Sequence, residues 1–308
     1  MAAKNKHWRS IMLKASDVRG VIPAVVTPFD RNSRVDYKSL EEIIRFLVSN
    51  GVHALMPVGG TGEFPHLLNE EKLDVIKTVV NVAGGKVPII PGTAACSTHE
   101  AILLSNQASE AGADAVILTP PYYFKLPDKS ILEHFTTVAR NIDCPLFVYN
   151  NPLYTGNNIS PPLLAELLKE EKIIGLKQSN PDIGQLVEVI RLSPEGLSLC
   201  TGIDSQFYPA LCIGAAGIFS TAAVVIPAQM VKLYNLFREK KHEEALELHM
   251  KLQKLNTFLE YDPGYVAPAK EALNILGLPG GYLRSPMPEL SIDERKQIEN
   301  ALREIGEL

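Results

Sequence analysis

The sequence predicts an α/β fold, a (β/α)8 TIM barrel with an appended C-terminal helical region, on three observations. From Gly20 to about Glu239, short apolar runs rich in β-branched residues alternate with amphipathic stretches, the rhythm of βαβ units. The runs are continuous rather than alternating in polarity, as in parallel strands covered on both faces. Eight such units in roughly 220 residues suit a closed barrel better than a doubly wound open sheet.

The first strand is read at 21–26 and its helix at 37–49; the second strand, 54–58, precedes a helix at 69–82. That helix is expected to open at Asn69, with Glu70 and Glu71 facing the positive end of its first turn. Strands at 88–91, 115–118, 145–149 and 173–177 then alternate with helices at 97–110, 128–140, 162–169 and 184–192. A seventh strand at 197–201, a helix at 205–212 and an eighth strand at 217–220 complete the set. Beyond Pro227 no strand intervenes among helical patterns at 231–237, 243–259, 268–276 and 293–305. The last pattern has Ser291 and Glu294 in capping-box spacing and Ile298, Leu302 and Ile305 along one face. The Pro/Gly-rich segment 278–288 reads as a connection within this region. The expected domains are therefore a barrel over 20–226 and a helical region over 227–308 packed on it.

Composition excludes several function classes. The 308 residues carry 30 Lys+Arg against 35 Asp+Glu, a net charge of −5, without the basic stripe that nucleic-acid binding needs. No run of about 18 apolar residues suggests a membrane span, and no apolar segment follows Lys4, Lys6 and Arg9, so a cytoplasmic protein is expected. Cys96, Cys144, Cys200 and Cys212 lack the spacing of a zinc site or a disulfide framework and are expected as reduced core thiols. His53, His66, His99 and His134 fall in different units, so no metal is expected, and no Gly-x-Ser-x-Gly elbow supports a serine hydrolase.

In a barrel the chemistry sits at the C-terminal ends of strands, and three ends stand out. Val58-Gly59-Gly60-Thr61-Gly62-Glu63 is a glycine-rich turn whose N–H groups can hold a carboxylate or phosphate; the bland reading is a tight turn that needs positive φ. Tyr149-Asn150-Asn151-Pro152 puts a phenol at the barrel mouth, either a packed aromatic or a proton carrier. Lys177 ends the apolar run Ile173–Lys177. A lysine aimed into a filled barrel is desolvated, which favours the neutral, nucleophilic amine that Schiff-base chemistry needs; the alternative is a side chain that snorkels to solvent.

Together with Pro120-Pro121-Tyr122-Tyr123, these motifs occur in the order and at the spacing of one family. The sequence resembles the dihydrodipicolinate synthase / N-acetylneuraminate lyase family of class I, Schiff-base-forming aldolases and lyases, from about Gly20 to the C-terminus. The resemblance implies that Lys177 condenses with pyruvate or another 2-oxo acid and that Tyr149 shuttles protons. It also implies that Thr61 and the Gly60 backbone hold the substrate carboxylate, and that Gly202 and Ser220 line the pocket floor. Tyr123 would reach the site of a neighbouring subunit, and a homotetramer or homodimer is implied. No cofactor and no metal are implied, because the lysine nitrogen itself supplies the electron sink.

Three positions depart from the synthase pattern. Gly60 stands where those enzymes carry a second threonine, Tyr154 where they carry an arginine for the second substrate's carboxylate, and Gln178 where many members have an acid. A phenol does not replace a bidentate guanidinium. The expected reaction is reversible aldol cleavage of a 4-hydroxy-2-oxo acid or 2-oxo-3-deoxy sugar acid. The alternatives are a 4-hydroxy-tetrahydrodipicolinate synthase, a dehydratase or deaminase of the same family, and, in another class, a non-catalytic 2-oxo acid sensor.

Overall fold

The computed structural model describes residues 12–260 and 264–308. Within them a parallel sheet contains β1 (Gly20–Pro23), β2 (Val116–Leu118), β3 (Leu146–Asn150), β4 (Ile173–Gln178), β5 (Ser198–Thr201) and β6 (Gly217–Ser220) in the spatial order β1-β6-β5-β4-β3-β2. Segments 54–58 and 88–92 fill the remaining arc between β1 and β2 through the parallel bridges Ala24–Met56, Leu55–Ile89 and Gly92–Ile117. Met56 N donates to Pro23 O at 2.9 Å, Ile90 N to Leu55 O at 2.9 Å and Ile117 N to Pro91 O at 3.0 Å, so eight parallel staves close into a TIM barrel. Two of the eight expected strands are thus single bridges rather than ladders. Pro57, Pro88 and Pro91 have no N–H, which cuts the ladder there.

Both faces of the staves are buried, the physical reason for their unbroken apolar runs. Ile22, Ala24, Met56, Ile90, Ile117, Phe147 and Phe219 pack inside the barrel. Val21, Val25, Leu55, Ile89, Val116, Leu146 and Leu176 turn outward onto the helical layer. Most helices begin and end within two residues of the expected bounds, and the Ser291–Glu294 capping box is present.

The differences have local causes. The helix Asn69–Ala83 opens at Asn69 as expected and runs one residue further, and its cap is Leu68, whose N–H donates to the Glu71 carboxylate at 2.9 Å. The helix expected at 231–237 starts at Pro227, since a proline costs nothing at a first helical position where no donor is needed. A short helix at Pro152–Thr155 follows the Tyr149 strand, and the stretch expected as one helix from 205 divides into a 3-10 turn, Asp204–Gln206, and the helix Phe207–Cys212. All four cysteines are free; Cys144 and Cys200 are buried, but Cys96 and Cys212 are exposed and are not core thiols.

The helix Pro227–Arg238 packs against β1, and His242–Leu259, Val266–Ile275 and Ile292–Ile305 pack on one another behind it. One buried ion pair ties this region to the glycine turn. Lys270 Nζ, from Val266–Ile275, donates to Glu63 Oε1 at 2.5 Å and to Tyr282 O at 2.7 Å, with side chains 2% and 1% exposed for Lys270 and Glu63. The Arg284 N–H donates to Glu63 Oε2 at 3.1 Å while its guanidinium makes a two-pronged contact with Glu71, at 2.6 and 2.8 Å. Burial pulls the Lys270 ammonium down to about 8, against the pull of Glu63.

Breaking a buried pair from one side strands the other charge, at a cost of about 3–5 kcal/mol. Lys270→Met is therefore expected to lower unfolding stability by about that amount in urea titration, and Lys270→Met with Glu63→Gln to recover most of the loss. Equal losses in the single and double variants would show that the pair has no such role.

Candidate active site

Strand register places the central side chains. Lys177 in β4 lies opposite Tyr149 in β3 and Cys200 in β5, so all three project to the barrel interior. Successive residues on a strand face opposite ways, and Gln178 accordingly turns outward, where its Oε1 accepts from Asn150 Nδ2 at 2.9 Å. Lys177 does not reach bulk solvent: it is 5% exposed, with Nζ 4.2 Å from the Tyr149 ring centroid, 5.8 Å from that of Phe219 and 3.8 Å from Met56 Sδ. Among the described residues no carboxylate lies within ion-pair distance of it. The nitrogen rests on aromatic faces and a thioether, a setting that holds an amine without fixing it as half of a salt bridge.

Gly202, just after β5, makes room for this side chain. A Cβ there would lie 2.1 Å from Ser179 Oγ and 2.6 Å from Lys177 Cε. The glycine turn obeys the same logic. Its positive φ angles belong to Val58 (58°) and Glu63 (55°), not to the glycines, so the expectation of glycine there for backbone conformation is not the reason for them. They serve close approach instead: a Cβ on Gly62 would lie 2.9 Å from Val25 O and one on Gly60 2.5 Å from the Tyr265 hydroxyl.

A cavity of about 450 Å³ opens over Lys177, lined among others by Thr61, Tyr149, Asn151, Tyr154, Gly202 and Tyr265. Thr61 Oγ1 lies 3.2 Å from Thr221 Oγ1, and Asn151 Nδ2 donates to Tyr149 Oη at 3.0 Å. The structure thus brings Lys177, Tyr149, Thr61, Gly202 and the Gly60 turn together. Ser220 is placed one layer behind: it is fully buried, donates to Asp204, and accepts from Ala223 N at 2.8 Å, while its neighbour Thr221 faces the cavity. Tyr123 stands outside the cavity, 86% exposed, at φ 81°, edge-on to Phe124 at 4.9 Å.

Two carboxylates in the wall had no candidate role in the sequence reading. Asp204 is buried and accepts from the N–H groups of Thr221 (3.1 Å) and Ala222 (3.0 Å); burial raises its pKa, and these bonds with that of Ser220 oppose the rise. Glu260 accepts from Ser205 N, and burial, then the charge of Asp204, push its carboxyl up to about 7. The signal for Asp204 was its place after the seventh strand, in Gly202-Ile203-Asp204. Glu260 and Tyr265 carry no local signal, since they arrive from the helical region.

Comparison with known proteins decides the family. A model described as "Dihydrodipicolinate synthetase family" matches residues 17–305. The chain belongs to this family. Its relatives include 4-hydroxy-tetrahydrodipicolinate synthases of Methanococcus aeolicus, 38% identical over 94% of this chain and 99% of that protein, and of Methanocaldococcus jannaschii, 39% identical with the same coverage. Among solved structures, a dihydrodipicolinate synthase of Thermotoga maritima superposes with a TM-score of 0.91 at 32% identity, covering 95% of this chain and all of the other. The family protein YagE of Escherichia coli K12, solved in complex with pyruvate, superposes with a TM-score of 0.91 at 26% identity, covering 94% and 99%. This member of the dihydrodipicolinate synthetase family is a class I lyase or aldolase type of enzyme with the family's barrel and C-terminal helices.

Two outcomes follow from the site's geometry. Gly202→Ala, which drives a methyl into Ser179 and Lys177, is expected to reduce turnover at least about tenfold; unchanged turnover would show that the lysine has room to spare. Glu260 holds its proton to higher pH in the folded chain than in the unfolded one, so stability falls as pH rises from 4.5 towards 7. Denaturant titrations at pH 5 and pH 8 should show this loss, up to about 3 kcal/mol, and Glu260→Gln should reduce it.

Proposed function

We propose that this chain forms a Schiff base between Lys177 and a 2-oxo acid and catalyses reversible aldol cleavage of a 4-hydroxy-2-oxo acid or 2-oxo-3-deoxy sugar acid. The observation that carries the reading is the Lys177 amine, buried over the Tyr149 ring in a cavity that also presents Thr61. The neutral amine adds to the 2-oxo carbon, and loss of water leaves a protonated imine. The Tyr149 hydroxyl supplies the proton with which that water leaves and is left as a phenolate; the bond between C3 and C4 then breaks, its electron pair moving toward the imine nitrogen to give an enamine, while the C4 hydroxyl becomes a carbonyl and passes its proton to the Tyr149 phenolate. Protonation of the enamine carbon and hydrolysis of the imine return pyruvate and the free lysine. The step requires no metal and no organic cofactor.

The cavity wall supports a neutral, hydroxylated aldehyde half. Asn151, Tyr154, Ser179, Gln206 and Glu260 can bond hydroxyl groups, and no arginine and no second lysine is among the described lining residues. A second reading, 4-hydroxy-tetrahydrodipicolinate synthase, is supported by the names of the relatives; it would add a semialdehyde bearing a carboxylate, which this wall meets with phenols and carboxylates. We further propose a cytoplasmic homotetramer or homodimer in which the exposed Tyr123 and Phe124 pair is covered by a neighbouring copy.

Borohydride reduction with pyruvate, followed by peptide mapping, is expected to label Lys177, and Lys177→Ala to abolish labelling. Tyr149→Phe should slow turnover by about 10²–10⁴-fold while labelling persists. A substrate panel scored by pyruvate release or consumption separates the readings: cleavage of hydroxylated 2-oxo acids supports the aldolase, condensation only with aspartate semialdehyde supports the synthase, and labelling without any turnover would leave a 2-oxo acid sensor.

A further inference from the structure

The contact between Gly60 and Tyr265 has no use in the chemistry so far. Gly60 does not have a positive φ, so its backbone does not require glycine. What requires it is space, because a Cβ would sit 2.5 Å from the Tyr265 hydroxyl oxygen, well inside van der Waals contact, yet 3.9 Å from the ring carbon bearing that oxygen. The missing side chain at residue 60 and the presence of one oxygen atom from residue 265 are the same fact seen from two ends of the chain.

Tyr265 also lines the cavity holding Lys177, Tyr149 and Thr61. Its position is anchored twice. Tyr265 precedes the helix Val266–Ile275, whose Lys270 is bonded to Glu63 of the same glycine turn, and its ring lies 6.0 Å from that of Tyr154. Around it the turn offers hydrogen-bond donors: among the described residues no backbone carbonyl accepts from the N–H groups of Gly60 and Thr61, and the Thr61 and Thr221 hydroxyls adjoin. A 2-oxo acid joined to Lys177 through C2 must put its carboxylate within one bond of that carbon, and an anion settles where N–H and O–H groups converge.

We propose that Tyr265 is a substrate-binding residue whose hydroxyl donates a hydrogen bond to the carboxylate of the 2-oxo acid held on Lys177, and that Gly60 is the vacancy that admits it. The inference rests on the Lys177 imine proposed above. It makes residues 60 and 265 alternatives: a hydroxyl can come to this place from either one, but not from both.

Borohydride trapping across a range of pyruvate concentrations tests this in four proteins. In Tyr265→Phe the concentration for half-maximal trapping should rise by about tenfold or more, the loss expected for a hydrogen bond to a charged group, while maximal trapping stays near the parent level. Gly60→Thr should impair trapping severely by clashing with the tyrosine oxygen. The double variant Gly60→Thr/Tyr265→Phe has no clash and regains a hydroxyl, so its half-saturation should return to within about threefold of the parent. Relief of the clash alone would return the double variant only to the level of Tyr265→Phe, so tighter half-saturation than in Tyr265→Phe is what a purely structural role does not yield. Half-saturation in Tyr265→Phe within twofold of the parent, or a double variant no better than Tyr265→Phe, would overturn the assignment while leaving the imine intact. A parent protein that never labels at Lys177 would overturn both.

Discussion

The buried pair of Glu63 and Lys270 is the constraint on which the site depends. Glu63 closes the glycine turn in a left-handed conformation, and Lys270 sits on a helix more than 200 positions later. Neither charge has an alternative partner in water once the chain is folded, so turn and helix must arrive together. Through this link the C-terminal helices become part of the pocket rather than an outer layer, since Glu260 and Tyr265 flank the approach to the helix that carries Lys270.

The interior of the barrel uses a second economy, in which charge is carried by few groups and each is hemmed in. Lys177 lies among aromatic faces and a thioether, whereas Asp204 is bound by the backbone at the start of the short helix Ala222–Val225 and by Ser220. The N–H groups there favour an anion, and burial disfavours it; both effects act on the same carboxyl. Burial, and after it the charge of Asp204, raises the cost of ionising Glu260, so the cavity wall loses a proton near pH 7 rather than in the ordinary carboxylate range.

The parts of this arrangement legible in the sequence were those written in local pattern. Lys177 stood out because a charged residue ends an otherwise apolar strand, and Tyr149 because strand and proline-bearing turn meet at it. The eight-stave count came from the apolar runs, but the pairing of 54–58 and 88–92 did not, since prolines that interrupt a ladder look the same in a sequence as prolines that end a strand. Gly60 was visible as a departure, yet its cause was not: the atom that needs the space belongs to Tyr265, and only folding brings it near. Ser220 was read one position off, because a side chain that holds Asp204 from behind and one that faces the cavity are adjacent in the strand-to-helix turn.

The proline-cut arc of the barrel has a consequence for how the chain avoids its own kind. Until the last staves dock, a half-formed parallel sheet shows two raw edges, and an unbroken edge invites another molecule to add a strand. Here one of those edges is finished by segments in which Pro57, Pro88 and Pro91 withhold their donors. Such a border accepts the single bonds of its proper neighbours but would offer a foreign strand no continuous row of donors to pair with.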